Sequence, residues 1–174
     1  MNKYIKKVKS QEDKLYNKVL FLSRNKLFYT IFGLRDTFQN RINLIFLHIS
    51  FLFIKTKQKK EQLIYKEFDQ KLFDYTFKKI ELNMRGVGYS DMMVNKKMKF
   101  TINMFYNILL DSEKYAQMNI KEKNSYLLKY LSQNNDKKST INIALVDYFD
   151  VYRSFCFDLS SDSVSNGDLN FYYK

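Results

Sequence analysis

Few residues of this chain have types and spacings suited to chemistry, and the sharpest one lies inside an apolar run. His48 is the sole histidine, within INLIFLHISFLFI. A histidine can ligate a metal or haem, or act as a general base. With no second histidine, HExxH spacing is excluded. Its apolar surroundings favour a core histidine whose nitrogens are satisfied internally. Cys156, the sole cysteine, excludes an internal disulfide and a multi-cysteine zinc site. It is the right type to pair with His48 as nucleophile and base. On an aromatic-rich helix, though, it reads as a small buried hydrophobe. The Gly86-Val87-Gly88 turn lacks the Gly-Lys-Ser/Thr of a P-loop and the third glycine of a dinucleotide fingerprint. Asp69 and Asp74 do not share a helical face at i, i+3 or i+4. The sequence therefore predicts no catalytic residue, no cofactor and no metal site.

Two polar groups have another character. Asp36, Thr37 and Arg41 flank a predicted helix start. They are either a cap with an exposed arginine or a network that fixes a loop for partner recognition. Lys96, Lys97 and Lys99 form a basic cluster, either a solvated helical face or a contact surface. Met84, Met92, Met93, Met98 and Met104 gather near them, as core fill or as the lining of an adaptable groove.

The elements that position these groups read as helices. Proline is absent and glycine occurs only four times, too few for a turn-rich β fold. A first helix is predicted over 11–25, with Leu15, Val19 and Leu22 at helical spacing. A short turn, 27–32, ends at Gly33. Asp36 or Thr37 then caps a helix carrying the apolar run to Lys57, with Lys59 and Lys60 beyond it. A third helix spans 60–85, with Ile64, Phe68, Leu72 and Tyr75 on one strip, and Gly86 ends it. Ser90 caps a fourth, 91–113, with Val94, Met98, Ile102, Phe105 and Leu109 inward. A fifth helix covers 120–133, presenting Tyr126, Leu127, Tyr130 and Leu131. A polar loop leads to a sixth, 141–157, with Leu145, Tyr148, Tyr152 and Phe155 inward. The prediction is all-α: one compact bundle of about six helices. Residues 1–10 form a basic extension, 11–157 the domain, and 158–174 a weakly ordered polar tail.

Hydrophobic residues make up 45% of the 174, enough for a core rich in Phe and Tyr. The longest apolar stretch covers about 20 Å at ~1.5 Å per residue, short of a membrane span. The N-terminus has no apolar run after its lysines, so it is not a secretory signal. The formal charge is +12, and 25 of the 30 basic residues are lysine. Two explanations stand: an acidic partner such as RNA or anionic lipid, or an AT-rich genome. Residues 1–138 carry 28 basic and 13 acidic side chains, whereas 139–174 carry two and five. That last segment either folds back on the basic body or is solvated.

Two blocks together resemble the ubiquinol–cytochrome c chaperone family. The first is FYTIFGLRDTFQNRINLIFLHISFLF, in which Tyr29, Gly33, Asp36, Thr37, Arg41, Leu47 and His48 fill the family's places. The second is FDQKLFDYTFKKIELNMRGVGYSDMMVNKKMKFTINMFY, with Leu72, Phe73, Asp74, Arg85, Gly86, Val87, Gly88, Lys96, Lys99, Phe105 and Tyr106 in register. Departures exist: Arg35 replaces a usual proline, and Asn40 a common glycine. The resemblance implies an all-helical, non-enzymatic chaperone that holds newly made cytochrome b during assembly of respiratory complex III. It implies a ribosome or a small partner protein as further contacts, and a peripheral position at the cytoplasmic face of a bacterial inner membrane, or the matrix in a mitochondrion. The alternatives are a basic helical nucleic-acid-binding protein, and a haem- or lipid-binding protein using His48.

Overall fold

A computed structural model of the chain describes residues 10–57, 63–133 and 142–173. Eight α-helices follow in order among them: α1 Gln11–Ser23, α2 Leu27–Thr30, α3 Phe38–Lys57, α4 Leu63–Gly86, α5 Asp91–Glu113, α6 Ile120–Tyr130, α7 Ile143–Asp158 and α8 Ser161–Ser165. Six of these have ten residues or more, as the periodicity predicts. The basic extension, except Ser10, lies outside the described residues, as do Lys59, Lys60 and most of the polar loop before α7.

The core forms around α3, which packs against α1, α4, α5, α7 and α8. Every residue from Ile42 to Leu52 is buried. A helix that is apolar all round must be enclosed on all sides, and this one is. On one flank Phe46 packs against Phe77 and Phe105 at centroid distances of 5.5 and 5.2 Å. On the other, His48 packs against Tyr152 at 4.6 Å. The aromatic-rich composition thus becomes interlocked edge-to-face pairs.

Starts and stops follow local chemistry. Ser10, Ser90, Asn142 and Ser160 each accept a backbone N–H as helix caps, and Asn119 with Glu122 forms a capping box. Of the two candidates before α3, Thr37 is the cap, accepting from Asn40 N at 3.1 Å. Gly33 has φ 67°, as expected of a stop.

Gly86 ends α4 as expected, being its last helical residue, and Gly88 takes the left-handed conformation at φ 91°. Other expectations need correction. On α4 the buried strip begins at Tyr65, while Ile64 is exposed. On α5 the buried stripe is Val94, Thr101, Phe105, Ile108 and Ser112, leaving Met98, Ile102 and Leu109 at its margins. Helix α6 stops at Tyr130 rather than Gln133, because Ser132 turns to bond the loop before α3.

The C-terminal segment is polar but ordered against the body. Val164 and Leu169 are buried, and Phe171 packs on Tyr148 and Tyr152. Gly167 has φ 76°, and a Cβ there would lie 2.9 Å from the carbonyl oxygen of Gln11. Only glycine lets the tail approach α1 so closely. Tyr65 donates to Asp162 at 2.6 Å and Lys18 to Asn170 at 3.0 Å. Among the described residues no ion pair joins the tail to the body. Apolar contact and single hydrogen bonds to or from one charged group hold it there, rather than paired opposite charges.

Candidate functional site

The two sequence blocks meet at one end of the bundle. Asp36 precedes α3 and Arg41 lies in its first turn. Arg41 donates to both carboxylate oxygens of Asp36, at 2.7 and 2.9 Å. Its guanidinium sits 5.8 Å from the Tyr29 ring centroid, and Tyr29 donates to Ser23 O at 3.2 Å. The Arg41 hydrogen bonds hold the Asp36 carboxyl below the usual carboxylate range. Both side chains are about half exposed. This fixes the loop and still presents it to solvent.

Arg41 also lines a cleft of about 220 Å³ between the ends of α1, α3 and α4. Leu20, Ile42, Ile45, Ile80 and Val87 supply apolar walls, and Arg24 stands at the rim. Val87 belongs to the second block, so one cavity joins residues distant in sequence. Beside it, Arg85 donates to Glu81 at 2.9 Å and also to Asp91. That bridge ties the end of α4 to the start of α5 across Gly86 and Gly88.

From this turn the exposed face of α5 runs away from the cleft. Met92, Lys96, Lys99, Asn103, Tyr106 and Leu110 follow at alternating steps of four and three, opposite the buried stripe. Met92 is 80% exposed, Leu110 59% and Tyr106 49%. The Tyr106 ring leans on Phe73 and Phe105 at 5.8 and 5.7 Å. Lys96 and Lys99 are exposed, while Lys97 covers the Tyr89 ring at 4.9 Å. Among the predicted methionines, Met84 is buried, Met98 and Met104 are partly so, and Met92 and Met93 are exposed.

Two motif residues lie elsewhere. Asp74 is exposed on α4, accepting from Gln70 at 2.8 Å. His48 is fully buried. Its Nδ1 lies 2.6 Å from Leu44 O, and its Nε2 2.8 Å from the Tyr148 hydroxyl. A carbonyl only accepts, so Nδ1 carries the proton and Nε2 accepts from Tyr148. Burial lowers its pKa to about 4, so the ring is neutral. Cys156 is likewise buried, and burial pushes its thiol up to about 12. Neither is a nucleophile or base within reach of solvent. Among the described residues no cluster of three His, Cys, Asp or Glu side chains is arranged to hold a metal. None of the described helices is long and apolar enough to cross a membrane.

No role for Asn40 and Asn43, two polar residues in a buried helix, is legible from sequence alone. Asn40 Nδ2 donates to Arg35 O and Ser132 O, at 2.7 and 2.8 Å, and its Oδ1 accepts from Ser132 N at 2.9 Å. Asn43 Nδ2 donates to Tyr130 O at 2.6 Å. Together they satisfy carbonyls at the end of α6 that have no helical partner. Arg35 N adds a bond to Ser132 O at 2.9 Å, which a proline could not make. The available signal was the departure itself: a buried amide demands partners.

Comparison with known proteins fits this architecture. The chain resembles a crystal structure of the Cbp3 homolog from Brucella abortus, with TM-score 0.78 and 21% identity. The match covers 94% of this chain and 89% of the other, and at that identity it speaks to the fold. No curated protein sequence matches. The family model described as ubiquinol-cytochrome C chaperone matches residues 30–171, taking in the loop before α3, the α3 and α4 walls of the cleft, α5 and most of the docked tail. The chain belongs to the ubiquinol–cytochrome c chaperone family.

Proposed function

We propose that the protein is an assembly chaperone that holds newly made cytochrome b and promotes assembly of ubiquinol–cytochrome c reductase, respiratory complex III. The observation that carries the reading, beside family membership, is the exposed stripe on α5. Its methionine, tyrosine and leucine give an unpartnered apolar seam. Methionine adapts to varied apolar shapes, which suits a client made of transmembrane segments. Lys96 and Lys99 keep the seam soluble and favour acidic or phosphate-rich flanks on the client side. The proposed place of action is the cytoplasmic face of the inner membrane, or the matrix in a mitochondrion.

Two observations weigh against the alternatives. Specific phosphate contacts favour arginine, and Arg41 and Arg85, two of the five, are already engaged by carboxylates. A haem ligand needs a free imidazole nitrogen, and both nitrogens of His48 are bonded in a closed core.

Deletion of the chain followed by membrane spectra is the test. The reading expects loss of b-type absorption from complex III, and capture of cytochrome b on the tagged protein. Normal complex III content with no captured cytochrome b would sink it.

A further inference from the structure

The cleft between α1, α3 and α4 has features that the client seam lacks. Its volume of about 220 Å³ exceeds the ~150 Å³ apolar cavity that accepts benzene. It falls below the ~300 Å³ where drug-sized pockets begin. It therefore suits a single chain segment, not a helix. Its walls are apolar, and no carboxylate lines it. Arg24 is exposed at the rim and makes no ion pair among the described residues. Its charge reaches Tyr16 and Tyr29 on either side. Arg41 presents a second guanidinium, held in place by Asp36.

The surroundings match an interfacial anchor. Phe38 and Val87 line the cleft yet are 42% and 67% exposed. Phe21, one turn before Arg24 on α1, is 78% exposed. Apolar side chains beside the unpaired guanidinium of Arg24, on a protein of net charge +12, are a combination that binds an anionic bilayer surface.

We propose that this cleft takes one acyl-chain segment of an anionic phospholipid, next to its headgroup, with the headgroup phosphate on Arg24 at the rim. The membrane then docks at the cleft end of the bundle, and the α5 seam stays free for the client. This goes beyond the client reading and does not depend on it.

Vesicle flotation tests the proposal, with phosphatidylglycerol mixed into phosphatidylcholine and with phosphatidylcholine alone. Wild-type protein is expected to float with the anionic vesicles only. Arg24→Gln weakens binding about fivefold, the worth of one basic side chain near a charged surface. A Phe38→Ser, Val87→Ser double variant weakens it about tenfold through lost apolar burial. All three positions are surface-exposed, so folding is retained, which a thermal melt verifies. The Lys96→Gln, Lys99→Gln pair is the control and retains more binding than either cleft variant. If the lysine control loses as much as the cleft variants, general surface charge explains the binding and the proposal fails. It fails equally if wild-type protein ignores anionic vesicles. Flotation says nothing about cytochrome content, so that failure leaves the client reading to its own spectral test.

Discussion

Arg41 and His48 lie on the same helix, two turns apart, and both belong to the same sequence block. Their surroundings differ in every physical respect. Around His48 the side chains of α3 and α7 close on one another, and each imidazole nitrogen has one partner. Around Arg41 the polar groups are paired too, yet half exposed, beside an apolar-walled cleft that is open among the described residues. A motif residue in the first setting specifies a core. A motif residue in the second stands where something outside the chain can reach it. Residue type does not separate the two; burial and the direction of hydrogen bonds do.

The largest expected effect comes from opening the closed region. His48→Ala removes a ring packed against Phe28, Tyr148, Phe149 and Tyr152 and strands the Tyr148 hydroxyl. A loss of about 3–5 kcal/mol in urea unfolding is expected. A loss below about 1 kcal/mol would place His48 outside the core's energetics and dissolve the contrast.

Among the buried side-chain oxygens without a partner in the described residues, the one on a carboxylate lies at the far end of α3. Asp69 packs against Thr56, and its Oδ1 is buried without a hydrogen-bond partner. Burial raises its pKa to about 7. Thr56 Oγ1 also contacts Leu52 O and Phe53 O, which only accept. A threonine with one proton is best served there if Asp69 supplies its own. The folded pKa exceeds the ordinary 3.8, so stability is fully present below about pH 4 and is lost as pH rises to 7. Asp69→Asn is expected to stabilise the protein by about 3–4 kcal/mol at pH 8 and hardly at all at pH 4. Equal effects at both pH values would refute the protonated state.

His48 gives the opposite slope. Its folded pKa of about 4 lies below the ordinary 6.5, so its penalty is absent above pH 6.5 and grows as pH falls to 4. In the Asp69→Asn background, unfolding free energy should drop by about 3 kcal/mol across that window. A flat profile there would mean the imidazole is reached by solvent protons, and the interior is not closed.

A smaller effect is expected at the border between the two regions. Asn40→Gly restores a residue common in the family and removes the amide that bonds Arg35 O, Ser132 O and Ser132 N. About 2 kcal/mol of stability should go, measured by chemical denaturation. An unchanged midpoint would show that Ser132 finds other partners.

Asn40 also marks the limit of what the sequence made legible. Helix spans, the Gly33 stop and the Ser90 cap depend on neighbours within a few residues, and periodicity exposed them. The bond from Asn40 to Ser132 joins residues 92 positions apart in sequence, and no local pattern encodes it. The two alternatives for the tail stay open in the sequence for the same reason. SSDSVSNGDLN looks solvated until Gly167 is seen against Gln11 and Leu169 within the core. At the site, the residue types of both blocks were readable. That Arg41 and Val87 wall one cleft was not, because their meeting depends on how α1, α3 and α4 end together.

The smallest effect on stability belongs to the surface, and it bears most directly on the comparison. Lys96→Glu with Lys99→Glu reverses two exposed charges on α5 that make no ion pair among the described residues. Surface changes of this kind fall within about 0.5 kcal/mol, so the melting curve should hardly move. Capture of cytochrome b should nevertheless fall, because the stripe then carries the wrong sign beside Met92 and Tyr106. His48→Ala would lose capture only in proportion to the protein it unfolds. If both variants lose capture in step with stability, the α5 stripe has no role of its own, and partner contact must be sought on another face. Loss of capture from a fully folded Lys96→Glu, Lys99→Glu protein would separate the residues that hold the fold from those that meet the client.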